Sequence, residues 1–391
     1  MSDKPNIYNG FYGQAHRKKQ QGVALITALI ITSVAVSLAT LIIYRQQIQI
    51  RLSSNISTLE QNYQYAYGME DFAGTILRRS FEDQPNFVSL NDDWYAESGL
   101  VLPITGGVMT GKLFDLQARI NVNSLIRPRI EIKPPAPVGQ SVPANGTVQI
   151  PEAEKEYIDI ASVTKLRLTE LIRIVDEQQD MGPAQNFTAI LKDWIDTDQD
   201  NGNSIIPGDD RDLGNGAETS YYQSIEPAYF SANTEMISPT ELRLIKNMQE
   251  KFYKRITDDI ATLPTQFGTN PTVTAINVNT ASENVLRSLG FTPDSITNII
   301  EARDEEPFEN IDTFKAMEVV RRDLKTETNP DALVDPLDLD VKSEYFLLEG
   351  RVEINNTRLF INSILWRNST GAVSVIMRDF SNPQTISKAI N

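Results

Sequence analysis

No charged residue interrupts the chain from Val23 to Tyr44, and most side chains in that stretch are apolar. At about 1.5 Å per residue, a helix of about 20 residues crosses a bilayer core of about 30 Å. The run then continues into polar sequence without a break. Ile48, Leu52, Ile56, Leu59, Tyr63, Tyr67, Phe72 and Ile76 recur there at helical spacing. Together the two patterns predict one long helix over residues 23–80, apolar in its first half and amphipathic in its second.

Beyond it the texture changes twice. Short apolar runs broken by Gly-Gly and Thr-Gly, in LVLPITGGVMTGKLFDLQARINVNSLI, predict a strand hairpin within residues 81–156. Pro128, Pro134, Pro135, Pro137, Pro143 and Pro151 mark an extended loop after it. Residues 157–329 carry helical patterns, with Leu166, Leu168, Leu171, Ile172 and Val175 on one expected face. Ser238 and Glu241 form a capping box for a later helix. Asn277 and Thr280 are expected to open the first of two short helices that turn at Gly290. Residues 330–391 alternate again, in three expected strands. Strands before and after a helical block can share one sheet, so the pattern predicts an α+β fold with a large α-helical inserted domain.

Composition narrows the chemistry. Cysteine is absent, which excludes disulfides and thiol catalysis, and His16 is the only histidine. The net charge is −16. Loss of residues 1–22 would remove Lys4, Arg17, Lys18, Lys19 and Asp3 and leave −19. Such a surface repels nucleic acid phosphate and favours divalent cations. Acidic pairs such as Asp258–Asp259 and Glu305–Glu306 have no spacing that singles out an acid/base couple, so no enzyme and no small-molecule substrate is expected. The turn at Gly290 resembles a helix-hairpin-helix unit, but it has one glycine and the acidic neighbour EARDEEPFEN, which points to a structural or protein-contact role rather than DNA.

One loop concentrates the acidic residues. Asp196, Asp198 and Asp200 alternate, and Asp209, Asp210, Asp212 and Glu218 follow. Crowded carboxylates repel one another unless a hard cation neutralises them, and oxygen-only ligands suit Ca²⁺. The loop is not an EF-hand, because Gly202 stands one place late and Pro207 occupies position twelve. The bland reading is a solvated acidic loop.

The order of basic residues (Arg17, Lys18, Lys19), Gly22 and an apolar run resembles the class III signal of type IV pilins and type II secretion pseudopilins. That resemblance implies cleavage between Gly22 and Val23 by a prepilin peptidase, a methylated Val23 and a retained helix. Most members carry Glu five residues after the cut, where this chain has Thr27. QQGVALITALIITSVAV, GKLFDLQARINVNSL, LKDWIDTDQD, GAETSYYQ, INVNTASENVLRSLG and DVKSEYFLLEGRV together resemble the minor pseudopilin K family of the type II secretion system. There the missing Glu is typical. The resemblance implies a pilin-like α+β domain with a helical insertion, calcium in the acidic segment, and minor pseudopilins I and J as partners. It also implies a single pass through the inner membrane, with the N-terminus cytoplasmic, the bulk periplasmic and the chain at the pseudopilus tip. A type IV pilus tip subunit would share the anchor but not the C-terminal segments. A single-pass periplasmic binding protein would share neither the cleavage nor the packing helix.

Overall fold

The computed structural model describes residues 21–126, 130–132, 156–158, 160–176, 183–199, 216–265, 275–326, 329, 334–335, 339–355 and 357–381. Helix α1 spans Gln21–Asp83. Strands β1 (Leu100–Ile104) and β2 (Gly107–Asp115) follow it. Next come β3 (Ile120–Asn121), β4 (Ile130–Ile132) and β5 (Glu156–Ile158). Helices α2 (Ile160–Val175), α3 (Ala184–Ile195), α4 (Thr219–Gln223) and α5 (Glu250–Ile256) precede β6 (Ile260–Ala261) and β7 (Ile276–Asn277). Then come α6 (Glu283–Leu289), α7 (Pro293–Glu305), α8 (Ile311–Ala316) and α9 (Glu318–Asp323). Strands β8 (Leu339–Asp340), β9 (Tyr345–Ile354), β10 (Thr357–Arg367) and β11 (Val373–Asp379) complete the order.

The chain divides into two units, residues 1–63 and 64–391. In the first, every residue of α1 from Val23 to Ser57 is exposed, and its apolar stretch is long enough to cross a membrane. The hydroxyl of Thr27 donates back to the carbonyls of Val23 and Ala24, at 3.0 Å each.

In the second unit the main sheet has the order β1-β2-β9-β10-β11, antiparallel throughout. The end of α1 packs on it through Ala66, Met69, Ala73 and Leu77. This is not the stripe that helical spacing suggests: Phe72 stays 41% exposed, and Ile48, Leu52 and Ile56, in the first unit, are exposed too. The reason lies in the sheet. Gly111 of β2 and Gly350 of β9 are paired neighbours, and Met69 Sδ fills the space where their side chains would be. A helix held that close needs small or flexible residues on its contact face. Glu70, buried beside them, accepts two bonds from Arg378 (2.7 and 2.6 Å) and one from the Ser363 hydroxyl. A Cβ at position 350 would lie 2.5 Å from Met69 Sδ and 2.7 Å from Ile361 Cγ2. Gly350→Val is therefore expected to cost about 2 kcal/mol, read as a lower denaturation midpoint at unchanged slope.

The helices form a separate core. Leu168, Leu171 and Ile172 of α2 meet Phe187, Leu191 and Trp194 of α3, Phe252 of α5 and Leu286 of α6. This core draws on residues from Ile120 to Val341, wider at both ends than the expected span of 157–329. Two similar segments bear on the difference: Ile120-Asn121-Val122-Asn123-Ser124 lies before that span, and Ile276-Asn277-Val278-Asn279-Thr280, inside it, pairs with Leu339-Asp340 beyond it. Each begins with a short strand in parallel pairing, β3 with β6 and β7 with β8. In each, the first Asn accepts from the backbone N–H of the second. The second Asn then clasps both backbone groups of a distant residue. Asn123 holds Met236 at 2.9 and 2.8 Å, and Asn279 holds Phe308 at 3.0 and 2.9 Å. Valine packs between each pair, fully buried. Buried asparagines survive because their donors and acceptors are matched in this way.

The two parts of this unit are tied at Asp115. Its carboxylate accepts from Gln117 N (2.8 Å), Asn277 Nδ2 (3.0 Å), Thr280 Oγ1 (2.6 Å) and Ser343 Oγ (2.6 Å). Three local expectations are corrected. Leu166 is 49% exposed, off the buried face of α2. The Ser238–Glu241 capping box is present but opens only a 3₁₀ turn, Pro239–Leu244, and Asn247 at φ 64° separates that turn from α5. Asn277 and Thr280 do not cap α6; Ser282 does, while they serve the Asp115 network. Gly290 ends α6 at φ 105°, a left-handed value that favours glycine.

Candidate metal centre

Helix α3 buries every residue from Phe187 to Ile195, including Lys192 and Asp193. It stops at Asp196, whose backbone turns extended and whose N–H donates to Lys192 O at 2.9 Å. On the other side of the site, Glu218 occupies the N-cap position of α4 without bonding that helix through its side chain. The two helix ends are brought together by aromatic packing. Trp194 meets the Tyr222 ring edge-on at 5.1 Å, and Tyr222 meets Tyr229 at 5.3 Å.

The result is that one ligand oxygen from each of Asp196, Asp198 and Glu218 lies within 4.8 Å of the others. Asp193 is close as well: a Cβ on Gly216 would overlap its carboxylate, so the close approach requires glycine there. Glu218 is 2% exposed, and neither carboxylate oxygen has a hydrogen-bond partner among the described residues. Burial, reinforced by Asp193, Asp196 and Asp198, pushes its carboxyl up to about 7, against the pull of Lys192. A buried carboxylate aimed at other carboxylates is costly unless a cation joins them. The donors are all oxygen, which fits a hard cation such as Ca²⁺ and gives no basis for a soft metal.

Of the acidic residues singled out in the sequence, Asp196, Asp198 and Glu218 converge, although 20 positions separate the second from the third. Asp200, Asp209, Asp210 and Asp212 lie outside the described residues. Sequence reasoning missed Asp193 and Lys192. Their signal was two charges in the otherwise apolar run FTAILKDWI, where a helical face should be buried.

Comparison with known proteins bears on the whole chain. Two domains of the family described as type II secretion system (T2SS), protein K, match residues 118–265 and 276–335, together just over half of the 391 residues. The chain belongs to that family. The type II secretion system protein K of Aeromonas hydrophila is 27% identical over 370 residues, covering 92% of this chain and 97% of its own. The Pseudomonas aeruginosa protein of that description is 28% identical over 370 residues and covers 93% of each. A solved chain from the GspK-GspI-GspJ complex of enterotoxigenic Escherichia coli shares the fold, with a TM-score of 0.62 at 20% identity over 85% of this chain and 99% of that one. As a protein K family member, the chain is a minor pseudopilin of the type II secretion system, anchored in the inner membrane by the apolar part of α1. Both matched parts begin next to or within an Ile-Asn-Val-Asn segment.

Proposed function

We propose that this minor pseudopilin stands at the tip of the periplasmic pseudopilus, where it starts or caps assembly with minor pseudopilins I and J and supports export of folded proteins across the outer membrane. The observation that carries this reading is the helical region between β2 and β9, which gives the head a second core, from Ile120 to Val341, beside its sheet. A head of that size leaves no room for a subunit stacked above it. Thr27 agrees with an end position. It has no carboxylate to offer the amine of an upper neighbour, and its hydroxyl donates within its own helix. The apolar residues Ile48, Leu52, Ile56 and Phe72 remain exposed on α1 and supply the surface for the two smaller partners. The E. coli homologue is seen together with GspI and GspJ, which agrees with that choice of partners.

The test is gold labelling of purified pseudopili. Label is expected at one end only, and label along the shaft would refute the tip position. Thr27→Glu should leave assembly nearly unchanged in the same preparations.

Processing follows the same reading. Gly22 and Val23 lie in the first turn of α1, and Arg17, Lys18 and Lys19 precede them, which favours a cytoplasmic N-terminus. The prepilin peptidase then cuts between Gly22 and Val23 and the new amine of Val23 is methylated. Mass spectrometry should find a mature chain that begins at methylated Val23, and Gly22→Val should abolish that species. A mature chain beginning at Met1 would be incompatible with this.

The carboxylates Asp196, Asp198 and Glu218 hold Ca²⁺ in the working protein, and the ion joins the C-terminus of α3 to the N-terminus of α4. Its support is the buried Glu218 carboxylate, which lies among like charges and has no hydrogen-bond partner among the described residues.

A further inference from the structure

Lys192 sits inside the carboxylate cluster rather than at its rim. Its Nζ lies 2.8 Å from Asp196 Oδ2, and each of the two side chains is only 9% exposed. The other charges that act on it are Asp193 on its own helix and Asp198 in the turn beyond, and Glu218 at the start of α4 senses it in return. A lysine ammonium is rarely buried, because desolvation opposes its charge. Here the Asp196 carboxylate lies within hydrogen-bond reach, so the ammonium is paired where it is buried. A divalent cation bound by Asp196, Asp198 and Glu218 would stand close to that ammonium and repel it.

We propose that Lys192 is a built-in competitor for the metal centre: it neutralises Asp196 when the site holds no ion and yields that carboxylate when Ca²⁺ binds. This rests on the Ca²⁺ reading given above. Two consequences follow from charge alone. The ammonium keeps the end of α3 folded without ion, since one of the crowded carboxylates is already compensated. It also weakens ion binding, because every bound cation must displace or face a positive charge at close range. Lys192 is thus a tuning residue. It sets the calcium concentration at which the α3–α4 joint closes and need not be a ligand itself.

The test uses the full-length protein in detergent, with Ca²⁺ alone as probe, at fixed pH and ionic strength. Lys192→Met keeps the length of the side chain and removes its charge. Calorimetric titration should show Ca²⁺ bound about tenfold more tightly by Lys192→Met than by the unaltered chain. In chelator, the same variant should melt at a lower temperature than the unaltered chain. A residue that only packed the helix would lower stability with and without Ca²⁺ alike and leave the affinity unchanged. Lys254→Met removes a charge from an exposed side chain (54%) and should leave the affinity where it was. Equal or weaker binding by Lys192→Met overturns the proposal, and so does equal tightening by Lys254→Met. A second measurement needs no variant to fold. In the unaltered chain, Ca²⁺ should raise the labelling of Lys192 by an amine-reactive reagent about threefold relative to Lys254, as the ion pair with Asp196 is released. An unchanged ratio overturns the exchange. If the unaltered chain binds no Ca²⁺, the metal reading falls and takes this inference with it. If it binds Ca²⁺ and Lys192→Met binds it equally well, only the role of Lys192 falls.

Discussion

Asp115→Ala is expected to remove about 4 kcal/mol of stability, because each buried donor left without an acceptor costs about 1–3 kcal/mol. Four donors converge on that carboxylate, from the backbone of Gln117 and the side chains of Asn277, Thr280 and Ser343. Asp115 and Ser343 are buried, and Asn277 is fully so. The donors come from the turn after β2, from both ends of the second asparagine segment and from the approach to β9. Removing the acceptor therefore loosens the joint between sheet and helices as well as a local turn. Asp115→Asn keeps the shape and one oxygen, and should cost about half as much, since its amide meets donors it cannot accept from. Urea unfolding of the two variants against the parent measures both. A loss below about 1 kcal/mol for the alanine variant would show that water replaces the carboxylate.

Calcium should raise the melting temperature of the protein, with the ion site closing the α3–α4 joint. A ligand bound only by the folded state contributes about 2.7 kcal/mol at one hundred times its dissociation constant. Asp198→Ala combined with Glu218→Ala should abolish that rise. The double variant should also melt above the parent in chelator, because it removes a buried carboxylate that burial and three like charges disfavour. The opposite signs with and without Ca²⁺ distinguish an ion site from an ordinary structural cluster. Identical melting curves for the parent with and without chelator would dispose of the site.

Much of this architecture is written in local pattern. The long helix, the hairpin of β1 and β2, and the last three strands follow from periods of 3.6 and 2, and the structure has each of them. The face of α1 that meets the sheet was not legible. The small and flexible residues Ala66, Met69 and Ala73 fit it, but what selects them over Phe72 is Gly111 and Gly350, which lie 42 and 281 positions from Met69. The asparagine segments were misread for a related reason. Asn277 and Thr280 have the residue types of a helix cap, but tertiary partners at Asp115 and Ser343 claim them, and the cap falls to Ser282. The recurrence of Ile-Asn-Val-Asn was the available sign that these positions obey a shared tertiary requirement. At the candidate metal centre, Asp196 and Asp198 alternate in a loop whose carboxylates the structure brings beside Glu218. The buried pair Lys192 and Asp193 could be recognised only once α3 had a known inner face.

The pairing of β2 with β9 has a kinetic meaning. The two strands are antiparallel neighbours from Gly107 opposite Ile354 to Asp115 opposite Phe346, so the helical region takes the place of a hairpin turn. A turn of two residues closes in microseconds, whereas strands with more than two hundred residues between them must wait for a chance meeting. The wait shortens if the helices condense first. Their core brings the second asparagine segment and the approach to β9 beside the end of β2, and what remains is the closure of a short loop. The helical region then acts as the nucleus on which the sheet is completed, and substitutions within its core should slow the appearance of strand structure without touching a single strand.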